Sequence, residues 1–89
     1  MGISPVPAEA LLDAMERFDR ELRHAANWVN WKRDRRHRYA IEHEGRRYPV
    51  KQIISMVTGM RVRDFTGGWK SGNAHQYAGS RGFAIVELR

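Results

Sequence analysis

The apolar residues Leu11, Met15, Phe18, Leu22 and Ala25 recur at steps of four, three, four and three. That spacing places them on one face of a helix. Pro7 suits a first helical turn, where its missing N–H costs nothing, so the pattern predicts a helix from Pro7 to Ala26. The pairs Asp13–Arg17, Glu16–Arg20 and Asp19–Arg23 each set an acid four residues before a base. This is the favourable order on an exposed helical face. Residues 28–38, WVNWKRDRRHR, show no decisive period and read as a short helix or a loop.

Residues 39–43, YAIEH, alternate as a strand does. Glu44-Gly45 is a two-residue turn related to Asp-Gly. Pairing outward from it sets His43 opposite Arg46, Glu42 opposite Arg47 and Ile41 opposite Tyr48. Tyr39, Ile41 and Tyr48 then share one face, and Glu42 pairs with Arg47 on the other. A slip of one residue would mix the two faces. Pro49 ends the second strand and fits the first position of a new helix. Val50, Ile53, Ile54 and Val57 follow the i, i+3, i+4, i+7 pattern, and Gly59 is a stop, giving a helix over Pro49–Thr58.

Residues 61–72 hold three glycines and read as a loop. Asn73 or Ser71 caps a short helix ending at Gly79. FAIVEL, residues 83–88, is apolar on both faces except at Glu87. Such a strand is usually covered or central. The sum is an α+β domain: a small three-stranded, largely antiparallel sheet packed with an N-terminal helix, a central helix and a short third helix, in the order α-β-β-α-α-β.

With 89 residues, one domain spanning 1–89 is expected. The chain has no cysteine, which excludes disulfides and Cys-based zinc sites and fits a reducing compartment. The N-terminus lacks a signal-peptide pattern, Val6 departs from a myristoylation motif, and no apolar run is long enough for a membrane span. A cytoplasmic protein is therefore expected. The net charge is +6. Residues 1–22 carry net −3, residues 23–51 net +6 and residues 52–89 net +3. Excess basic charge in the middle of a small domain points to a polyanion, nucleic acid first and acidic membrane second.

Catalysis finds no support in the residue pattern. His24, His37, His43 and His75 lack metal-ligand spacing, no serine stands in a nucleophile elbow, and the acids form no nuclease cluster. Neither an enzyme, nor a metal, nor a cofactor is expected within these residues. The strongest electrostatic feature is the run Lys32, Arg33, Arg35, Arg36, Arg38. Contacts of such side chains to a phosphate backbone give salt-sensitive affinity without sequence information. Lys51 falls in the first turn of the central helix, where the helix dipole disfavours a cation by a few tenths to about 1 kcal/mol. Free N–H groups beside a lysine make an anion site; the alternative is a lysine that swings into water. In GGWKSGN, residues 67–73, the glycines, Lys70 and Asn73 suit a phosphate-contacting turn, or a tight turn needed only for folding. Trp69 either stacks on a base or covers a core edge. Trp28 and Trp31 are assigned to the core or its rim.

Taken together, RYPVKQIISMVTG, FTGGWKSGN and RGFAIVEL resemble the N-terminal head domain of prokaryotic modification-dependent, Mcr-type restriction proteins. In those proteins the head precedes HNH nuclease or AAA+ modules. The matching positions are Tyr48, Pro49, Lys51, Phe65, Gly67, Gly68, Asn73, Gly82 and Phe83, within residues 38–89. Between Asn73 and Gly82 the pattern departs, since His75, Gln76, Tyr77 and Arg81 stand where a leucine-rich short helix is expected. The resemblance implies a DNA-binding or target-recognition head, with any nuclease or ATPase elsewhere in a longer protein. The expected partner is double-stranded DNA, modified or plain, alongside other domains of the same protein. Lys32, Arg33, Arg35, Arg36, Arg46, Lys51 and Lys70 are expected at phosphates, with Trp69 and Asn73 near bases. A second reading is a protein-interaction module, its contact carried by the acidic first helix and exposed tryptophans. A third is a nuclease fragment.

Overall fold

A computed structural model describes residues 3, 5–34, 37–65 and 73–88. Helix α1 covers Ala8–Arg17 and is followed by a π-helical turn over Phe18–Leu22. A 3-10 turn spans Trp31–Arg33. Strands β1 (Tyr39–His43) and β2 (Arg46–Pro49) form a hairpin that runs directly into α2 (Val50–Thr58). A 3-10 turn at Val62–Asp64, helix α3 (Ala74–Ser80) and strand β3 (Ala84–Glu87) complete the order. The sheet is antiparallel with β1 at its centre, in the order β2-β1-β3. This is the expected α+β class.

The hairpin register is as the alternation demands: Ile41 faces Tyr48, Glu42 faces Arg47 and His43 faces Arg46. Glu44 and Gly45 take φ values of 50° and 77°, so the turn uses left-handed backbone at both central positions. That is the type I′ geometry that matches strand twist. Ile41 and Tyr48 enter the core from one face. Ala40 and Pro49, a cross-strand pair on the other face, are buried too.

Four expectations are corrected. The first helix does not continue regularly to Ala26. At Phe18 it widens, and the Arg23 N–H donates to the Phe18 carbonyl at 2.7 Å, five residues back. The wide turn joins the helix to the hairpin. The Asp19 carboxylate accepts from Tyr48 Oη at 2.6 Å and Arg23 Nε at 2.6 Å, and Arg23 Nη2 donates to the Arg47 carbonyl at 2.9 Å. Tertiary bonds of this kind override local helical preference. Arg17 turns to Glu21 at 3.7 Å rather than to Asp13, while Glu16–Arg20 and Asp19–Arg23 pair as expected. Pro49 is the last strand residue and the N-cap of α2, not its first helical residue, because its ψ of 119° is extended. β3 is an edge strand, neither central nor fully covered: it pairs only with β1, and its ends Ala84 and Glu87 are exposed.

The core joins Leu11, Met15 and Phe18 to Ile53 and Ile54 of α2 and Ile41 of β1. Gly59 closes α2 at φ 76°, with its N–H donating to the Ser55 carbonyl at 2.9 Å. The N-terminal segment is tied to α3. The Val6 N–H donates to Tyr77 Oη at 3.0 Å, and Arg81 Nε donates to the Val6 carbonyl at 2.8 Å. These contacts hold α3 against the body of the domain and so fix one wall of the cleft described next.

Candidate nucleic-acid interface

Where the aromatic segment after the π-turn meets the start of β1, the chain leaves a cleft of about 610 Å³. It is lined by residues from five parts of the chain: Asn27, Trp28, Trp31, Asp34 and His37; Arg38 and Tyr39 at the head of β1; Val50, Lys51 and Gln52 in the first turn of α2; Val62 of the second 3-10 turn; and His75 of α3. Phe18 anchors the aromatic wall from behind. Its ring meets Trp28 at 5.6 Å and Trp31 at 6.4 Å, both edge to face. His37 then lies 5.8 Å from Trp28 and 5.4 Å from Trp31, and Tyr39 lies 4.8 Å from His75. Edge-to-face pairs of this kind each contribute roughly 0.5–1.5 kcal/mol beyond area burial, so the wall is preorganised.

Trp31 is 4 % exposed, and its indole N–H has no acceptor among the described residues. A buried donor left unpaired costs about 1–3 kcal/mol. Lys51 is half-buried, with Nζ 5.4 Å from the centre of the Phe65 ring. A cation over a ring face is stabilised by about 0.5–1 kcal/mol at an exposed site. This contact offsets the dipole penalty at the start of α2 and keeps the charge at the cleft instead of in open water. Burial, and then the Lys51 charge, push the His75 pKa below its ordinary value.

The residues expected at phosphates divide into groups. Lys51 lies in the aromatic cleft. Lys32 and Arg46 line a separate shallow depression with Arg23, Gly45 and Arg47. Arg46 also reaches Asp19 at 3.2 Å, and Arg47 is held by Glu42 at 3.4 Å. Burial alone would raise the Asp19 carboxyl, but the Tyr48 hydrogen bond, the Arg23 bond and charge, and the Arg46 charge outweigh it and lower its pKa. The same partnership raises Tyr48, through burial first and then its bond to Asp19. That network is structural. Arg33 is exposed on the 3-10 turn and lines neither concavity. Asn73 occupies the N-cap position of α3 but makes no side-chain capping bond; its carbonyl accepts from the Tyr77 N–H at 2.9 Å. Arg35, Arg36, Gly67, Gly68, Trp69, Lys70 and Ser71 lie outside the described residues.

Sequence reasoning placed Arg38 only within the basic run and did not place Tyr39, His37 or His75 in a site. The only available signal was the departure at His75 from the leucine-rich pattern, together with the aromatic start of β1. Among the described residues no cluster of three acids or histidines is arranged to hold a metal ion, and no helix is long and apolar enough to cross a membrane. Comparisons with family models, curated proteins and solved structures return no match.

Proposed function

We propose that this domain binds DNA, as the target-recognition head of a modification-dependent restriction protein. The observation that carries the reading is the cleft, which gathers Lys51 and Arg38 with five aromatic or imidazole rings in one concavity. Cations supply attraction to phosphate, and ring faces supply stacking to bases. The charge distribution supports it as well. Residues 23–51 carry net +6 against net −3 on residues 1–22, where Arg17 and Arg20 pair with Glu16 and Glu21. The Tyr48-Pro49-Lys51 motif, which resembles that of restriction-protein heads, divides by role. Tyr48 is buried and hydrogen-bonded, Pro49 caps α2, and Lys51 reaches the cleft.

The protein-interaction reading rested on the acidic first helix and on exposed tryptophans. Glu9, Asp13 and Glu16 are exposed, whereas Trp31 is buried and Trp28 half-buried, so among the described residues the tryptophan part of that reading loses its support. Duplex affinity measured across a salt series tests the proposal. Affinity should fall steeply with salt, and Lys51→Glu should weaken it about tenfold or more with the thermal midpoint retained. No binding at low salt, or a variant that binds like the wild type, would overturn the reading.

A further inference from the structure

Holding a DNA backbone requires cations, but it does not require an aromatic cavity. The cleft has both. Its volume of about 610 Å³ lies in the range of small-ligand sites. Its wall carries Trp28, Tyr39 and His75, none of them fully buried. Trp31, deeper in the wall, keeps an indole N–H without an acceptor among the described residues. The cations are Lys51 at the start of α2 and the exposed Arg38.

We propose that the cleft receives a single unstacked nucleobase, with the adjoining phosphate held by Lys51 and Arg38. This rests on the nucleic-acid reading above and specifies its ligand. Every base offers a π-face to an aromatic wall, and the attached phosphate offers the negative charge that the two cations require. A base inside a paired duplex has both faces already covered by its neighbours. Only a base that is single-stranded, bulged or turned out of the helix can enter.

The test uses three probes of one sequence containing 2-aminopurine: a single strand, a duplex with that base bulged, and a fully paired duplex. Affinity is read by anisotropy and base environment by 2-aminopurine fluorescence. The bulged and single-stranded probes should bind about tenfold or more tighter than the paired one, with the fluorophore quenched on stacking. Unstacking of the fluorophore in the paired probe would show that the domain itself extracts a base; a response confined to the other two would show capture of a base already free. Lys51→Gln and Tyr39→Leu should reduce the preference towards unity, and Lys51→Gln alters an accessible side chain outside the fully buried core. Equal affinity for all three probes without a fluorescence change would overturn this inference and leave DNA binding standing. A preference unchanged in Lys51→Gln would overturn the placement in this cleft. No binding to any probe at low salt would overturn both readings.

Discussion

Lys51 and His75 show how one side chain acts on the chemistry of another remote in sequence. Burial first, and the Lys51 charge second, hold the His75 imidazole neutral and lower its pKa below the ordinary 6.5. The folded value is therefore below the unfolded one, and the unfolded chain takes up the proton more readily. The corresponding stability is present above about pH 6.5 and is lost as pH falls through the folded pKa. Lys51→Gln removes the second cause and leaves the first. An NMR titration of His75 should give a higher pKa in the variant, still below the ordinary value. An unchanged pKa would mean that the Lys51 charge does not act on this imidazole. Lys51 was conspicuous in the sequence because a cation at a helix start runs against the dipole. His75 and Tyr39 were not, since the departure at His75 and the aromatic start of β1 do not by themselves bring the two together; they meet only when α3 closes on the sheet.

At the level of elements, the hairpin was the most legible part of the chain. Alternation in YAIEH, the Glu44-Gly45 turn and the opposed Glu42 and Arg47 converge on one register, and the structure has it. The turn itself is imperfect, because Glu44 sits at φ 50°, a conformation that suits asparagine better than glutamate. Glu44→Asn should therefore raise the urea midpoint, by about 0.5–1 kcal/mol of stability; an unchanged or lower midpoint would contradict that account of the turn. Helix 1 was less legible. Its apolar period runs past Arg17, but the bonds from Asp19 and Arg23 to the hairpin widen the helix at Phe18. No period in a single segment reports a partner from another. β3 was misjudged for a related reason. An apolar strand reads as covered, yet this one lies at the sheet edge, with Ile85 and Val86 half-buried and packed against the core.

For the whole molecule, the central claim is that the aromatic and basic cleft is the face that meets DNA. The domain measures 31 × 25 × 24 Å, so it covers no more than about one turn of duplex, roughly 34 Å. Contacts to about three to five phosphates are consistent with that span and correspond to a log–log salt slope of about −2.7 to −4.5. The cleft was only half legible in the sequence: the basic run and Lys51 were the grounds for expecting a polyanion, but the cavity exists only once residues 28–34 and 37–39, α2 and α3 are packed together. The most direct measurement is an amide and indole NMR titration of the 89-residue chain with duplex DNA at low salt. The account predicts the largest shifts at Trp28, Trp31, Tyr39, Lys51 and His75, with Glu9, Asp13 and Glu16 of α1 unmoved. Shifts confined to α1, or none at all, would contradict it.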